Sequence, residues 1–235
     1  MKKRPNYITA AELMKELEND PSYVKMVKEK EEKRRKRAEE FAKEEKLLIG
    51  DLGSIGIKVS SVWDLVNTKQ NYSKALPVLL KHLKIDYRKE ILEGIARALI
   101  IKEARGIAAS SLIELFKKIS SKEESFKWAV GYAVSQTADD LNIDEIIRLI
   151  KDETQGPTRG VLALSFRYIN KEWVDDYLIK LTFSKELELV RNAVDVLGKR
   201  KTKMSVDRLI ELTSHQDKEV SRLAKEALKR IIKKK

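Results

Sequence analysis

A chain of 235 residues, 42% hydrophobic and 37% charged with only four prolines, has enough apolar content to bury a core and the composition of helices with long solvated faces. It contains no cysteine, which excludes disulfides and thiolate metal sites and fits a reducing compartment. No signal-peptide core follows the basic start and no apolar run approaches about eighteen residues, so a soluble, cytoplasmic protein with no membrane partner is expected.

The net charge of +12 is unevenly spread. Residues 1–46 carry 14 Lys/Arg against 11 Asp/Glu, residues 198–235 carry 13 against 5, and the stretch between carries 22 against 21. The basic excess therefore sits at the C-terminal end, where a nucleic-acid reading would have to find its phosphate contacts.

In chain order, the first helix signal is Thr9-Ala-Ala-Glu12, a capping box that starts a helix ending near Asn19. Asp20 then serves as N-cap with Pro21 at the first helical position. No Gly or Pro follows until Gly50, which predicts a helix of about 30 residues, roughly 45 Å long. Residues 28–37 contain no hydrophobic residue and include five consecutive cations, Lys33 to Arg37. Glutamates at Glu29, Glu31, Glu32 and Glu39 stand four positions before Lys33, Arg35, Lys36 and Lys43, the favoured order for helical ion pairs. The run is therefore a solvated, self-paired helix face. Ser60 or Ser61 then caps a short helix through Val62, Trp63, Leu65 and Val66, over about 61–68.

From Asn71 onward helical hairpins recur, at about 71–103, 107–138, 143–170, 172–201 and 204–234. Leu99, Val134, Phe166, Leu197 and Leu228 take equivalent places in the second helices, with spacings of 35, 32, 31 and 31. Such a period, built from two amphipathic helices, signals an α-solenoid in which each hairpin hides its apolar face against its neighbours. The expected organisation is an N-terminal charged helical extension, 1–56, and a repeat domain, 57–235.

The strings VRNAVDVL (Val190 to Leu197) and VSRLAKEAL (Val220 to Leu228) resemble the second helices of HEAT repeats, and Pro77, Asp86 and Asp217 fit the same pattern. In the second and third repeats Trp128 and Gly160 align with the Arg position. The resemblance covers about residues 71–233, and the whole arrangement is similar to small bacterial HEAT-repeat proteins without an assigned activity. It implies an all-α, right-handed α-α superhelix of about five hairpins whose second helices line the concave side.

On that implied concave side, the binding candidates are Arg97, Trp128, Tyr132, Gln136, Tyr168, Arg191, Lys199, Arg222 and Arg230. Trp, Tyr and Arg dominate binding hot spots because they offer large rigid area with a polar handle. The same Trp128 and Tyr132 also suit packing between repeats, and Arg191 and Arg222 also suit inter-repeat hydrogen bonding.

Enzyme signals are sparse. His82 and His215 are far apart in sequence, and HExxH, GxxxxGK[ST] and GxSxG are all missing. The His-Glu dipeptides that some HEAT-repeat oxygenases use for iron are missing too. The pairs Glu123-Glu124, Asp139-Asp140 and Asp175-Asp176 fall at helix starts or turns, where acidic residues favour the dipole.

A non-enzymatic scaffold for a protein or peptide partner, with no metal, catalytic residue or small-molecule cofactor, is the expected function. Nucleic-acid binding through Lys199, Arg200, Lys201, Lys203 and Lys229 to Lys235 competes with it. A HEAT-like DNA glycosylase is the enzyme alternative.

Overall fold

The computed structural model describes residues 9–232, and all regular structure among them is helical. Lys233 to Lys235, at the end of the basic block, lie outside the described residues. The chain divides into two compact units, Met1–Leu47 and Leu48–Lys235.

Helix α1, Ala10–Asn19, begins at the Thr9 capping box: Thr9 N donates to Glu12 Oε2 at 2.9 Å and Glu12 N to Thr9 Oγ1 at 3.3 Å. Asp20 accepts from Ser22 N at 2.8 Å and starts α2, Pro21–Ser54. This helix has 34 residues, about 51 Å at 1.5 Å per residue. It runs past Gly50 and Gly53, where a glycine weakens a helix but does not stop it. The stop is Gly56, φ +81°. Ile57 N bonds Leu52 O at 3.0 Å and Gly56 N bonds Gly53 O at 2.9 Å, the paired reverse bonds of a Schellman cap. Residues 28–40 are all exposed, with Glu32–Lys36 paired at 2.9 Å and Arg35–Glu39 at 3.7 Å.

In the second unit, α3 is Trp63–Asn67, with Trp63 N donating to Ser61 Oγ at 3.3 Å. Hairpins follow: α4 Leu76–His82 with α5 Lys89–Ala98, α6 Ala109–Lys118 with α7 Glu124–Thr137, and α8 Ile143–Lys151 with a 3₁₀ segment, Pro157–Arg167. Helices α9 Val174–Leu181 and α10 Leu187–Arg200, then α11 Val206–Leu212 and α12 Lys218–Ile232, complete the series. The second members pack in succession, α3 on α5, α5 on α7, α7 on the 3₁₀ segment, that segment on α10, and α10 on α12.

Glycines set how close these neighbours come. A Cβ on Gly94 would meet Val62 Cγ1 at 2.5 Å, one on Gly131 Val161 Cγ1 at 2.5 Å, one on Gly160 the Glu188 side chain at 2.8 Å, and one on Gly198 Ala227 Cα at 2.6 Å. The 3₁₀ segment is longer than the usual three or four residues of that form. It lies between α7 and α10 with Arg159, Gly160, Val161, Leu162, Ala163, Ser165 and Phe166 buried, and the narrower 3₁₀ winding suits a rod pressed from both sides. The second helix expected here is thus a tighter rod.

Candidate functional site

Cations on the second members of hairpins two, three and four tie each to the next hairpin, and the first two of them are buried. Lys127, 2% exposed, donates Nζ to Ile119 O at 2.7 Å and to Gln155 Oε1 at 2.8 Å, and lies 4.6 Å over the Phe116 ring. The Ile119 carbonyl closes the α6 end, and Gln155 belongs to the next hairpin's turn. Burial pushes the Lys127 ammonium below the ordinary lysine range.

Arg159 repeats the arrangement one hairpin on, donating to Ile150 O and Gly156 O, each at 3.0 Å, and to Glu186 at 3.4 Å. Arg191 then reaches Asp217 through Nη2 at 2.6 Å and Nε at 3.3 Å. The Asp217 carboxyl is held down at about 2 by Arg191 and by the Val220 N–H. Lys127 and Arg159 stand seven residues before the core residues Val134 and Phe166, whereas Arg191 stands six before Leu197. The inter-repeat cations of hairpins two and three are therefore one position before Trp128 and Gly160, the residues the sequence alignment placed there.

That offset turns Trp128 outward. It is 38% exposed and stacks on half-buried Tyr132, ring centroids 5.4 Å apart and planes 3° from parallel. An opening of about 310 Å³ beside it is lined by Glu124, Ser125, Trp128, Pro157, Thr158 and Glu188. Further along, the Gln136 side chain and the Tyr168 hydroxyl meet at 3.2 Å, and the Arg105 guanidinium covers the Tyr168 ring at 3.8 Å. Trp128 and Tyr132 thus form one unit, and Gln136 and Tyr168 a second that joins hairpins two and three.

Several of the basic candidates sit in ion pairs. Arg97 donates to Glu93 at 2.8 Å, Lys199 lies 2.6 Å from Asp195, and Arg230 lies 3.1 Å from Asp195. Arg222 pairs with Glu219 and Glu226. Arg200 is tied to Asp175 at 2.6 Å and to the carbonyls of Phe166 and Ile169 at 3.0 and 2.7 Å, so it caps the preceding hairpin. Phosphate contacts from these side chains would replace existing partners.

Three features had no counterpart in the sequence reading. A larger groove, about 790 Å³, is lined in part by Leu83, Tyr87, Leu92, Leu115, Ile119 and Phe126; it is assembled from a turn and two hairpins and leaves no periodic signal. Behind it, buried His82 has Nδ1 2.7 Å from the Tyr87 hydroxyl and Nε2 2.9 Å from Asp51, which also accepts from Lys81 at 2.7 Å. Exposed apolar residues also recur just before first helices, at Ile107, Leu141, Trp173 and Met204. Their spacings of 34, 32 and 31 follow the repeat period.

Among the described residues no group of three His, Cys, Asp or Glu is placed to hold a metal, and no helix is long and apolar enough to cross a membrane. The chain matches no family model, and no curated protein matches it either.

Proposed function

We propose that the protein is a non-enzymatic, cytoplasmic binding scaffold: a HEAT-like solenoid of five hairpins whose second-helix face grips a peptide, helix or domain of a protein partner. The observation that carries this reading is the exposed Trp128 stacked on Tyr132 beside a lined opening. A large aromatic pair fixed in place, partly solvated and backed by buried inter-hairpin cations, has the rigidity and amphipathic character of a binding hot spot. A pair required only for packing would be covered by the next hairpin, whereas Trp128 is 38% exposed.

The test is partner recovery with wild type and a Trp128→Ala/Tyr132→Ala variant, with helicity and melting recorded for both. Loss of recovery in a folded variant is expected; unchanged recovery sinks the assignment of this face. The C-terminal basic excess favours nucleic-acid binding as the competing reading. It requires affinity for random oligonucleotides that falls steeply with salt, log K dropping by about 0.9 per duplex phosphate neutralised.

A further inference from the structure

The opening beside Trp128 has a distinctive chemistry. Its walls include an indole and a proline ring, and its ionised groups are two carboxylates, Glu124 and Glu188. Among the described residues no cation lines it, in a chain of net charge +12. Of the cations near it in sequence, Lys127 bonds Ile119 O and Gln155, and Arg159 bonds Ile150 O, Gly156 O and Glu186. Arg191 is bonded to Asp217 and acts on Glu188 only through its field, and Lys122 lines the adjoining cleft rather than this opening. Asn192 Nδ2 donates to Glu188 Oε1 at 3.1 Å and to Gly160 O at 3.0 Å, which orients the carboxylate without neutralising it. Tyr132 stacks on the indole but does not line the opening, so another part of Trp128 faces it.

The face of an aromatic ring attracts a cation through its quadrupole, most strongly for Trp. Lysine and arginine carry their charge on an apolar stem that packs along an apolar wall, here Pro157 and the indole. An anionic group would be repelled by both carboxylates, and a neutral aliphatic one would desolvate them without compensation.

We propose that this opening is a subsite for a lysine or arginine side chain of the partner, the cationic group lying against Trp128 with Glu124 and Glu188 as counter-charges. The proposal rests on the protein-binding reading above and names the chemistry recognised at that site.

The full chain labelled with 5-fluorotryptophan gives ¹⁹F signals from its three tryptophans, assigned by single Trp→Phe variants. Capped Gly-Lys-Gly and Gly-Arg-Gly should move the Trp128 signal saturably, and capped Gly-norleucine-Gly should not. A Glu124→Gln/Glu188→Gln variant should bind the cationic peptides roughly tenfold more weakly, the size of about one charge-assisted contact. An equal response to norleucine, no response to either cationic peptide, or unchanged affinity in the double Gln variant overturns the subsite.

Partner recovery separates the two readings. If Trp128→Ala/Tyr132→Ala abolishes recovery while Glu124→Gln/Glu188→Gln keeps it, the subsite fails and the binding face stands. If the cationic peptides titrate as expected while Trp128→Ala/Tyr132→Ala recovers the partner normally, the face assignment fails and the cation subsite stands.

Discussion

The Arg191 guanidinium grips the Asp217 carboxylate through two nitrogens, at 2.6 and 3.3 Å, across the step from α10 to the turn before α12. The same carboxylate accepts from Val220 N at 2.9 Å and so also caps α12. One side chain thus joins two hairpins and starts the second helix of the last. The ion pair needs the ionised form, and the negative charge also strengthens the cap at the helix N-terminus.

Acid should therefore weaken this junction in a definite window. The folded value of Asp217 is about 2 against an ordinary 3.8, so its contribution is full above about 4 and is lost as pH falls towards 2. Asp217→Asn should be less stable than wild type at neutral pH, and the difference in melting temperature should shrink between pH 4 and 2. A difference that stays constant across that range would show that the carboxylate charge is not what stabilises the junction.

Lys127 is the buried counterpart of that clamp. Removing its stem and ammonium leaves a cavity beside Phe116 and strips partners from the Ile119 carbonyl and Gln155. Lys127→Ala should cost about 2–4 kcal/mol in urea unfolding. A cost below about 0.5 kcal/mol would place Lys127 among ordinary surface substitutions.

The sequence announced the first of these clamps and hid the second. Arg191 and Asp217 stand in strings with recognisable repeat character. Lys127 precedes Trp128, and both fit an amphipathic helix because a period of 3.6 residues leaves neighbouring positions hard to separate at the edge of the apolar stripe. The same ambiguity hid Pro157–Arg167, since GVLALSF is apolar at either 3.0 or 3.6 residues per turn; only its confinement between α7 and α10 distinguishes the forms. The Thr9 and Asp20 caps were legible because capping is a local hydrogen-bond pattern. The groove at Leu83 and Phe126 was not, because it is a relation between hairpins.

Lys201 ends α10 in the left-handed region at φ 58°, with Thr202 N bonded to Leu197 O at 3.1 Å and Lys201 N to Gly198 O at 3.3 Å. A glycine fits this cap without steric cost but gives up more freedom on folding. Lys201→Gly should raise stability by about 0.5–1 kcal/mol, read as a higher urea midpoint at unchanged slope. A fall of that size would mean the lysine side chain contributes more than its backbone conformation costs.

Glycines in two helices should respond oppositely to alanine. Gly50 has nothing within 4 Å of an added Cβ, whereas one at Gly198 would meet Ala227 Cα at 2.6 Å. Gly50→Ala should stabilise by about 0.5–1 kcal/mol, and Gly198→Ala should destabilise by about 1–3 kcal/mol as α12 is forced away. Equal effects from the two changes would contradict the close approach of α10 and α12.

The central claim, that the second-helix face is the binding surface, is tested most directly by hydrogen exchange on the full chain with and without a captured partner. The account predicts added protection in peptides covering residues 124–136 and 157–168, with little change around residues 83–92 and 110–119. Protection confined to those latter segments, with 124–136 and 157–168 unchanged, would assign binding to the larger groove and contradict it.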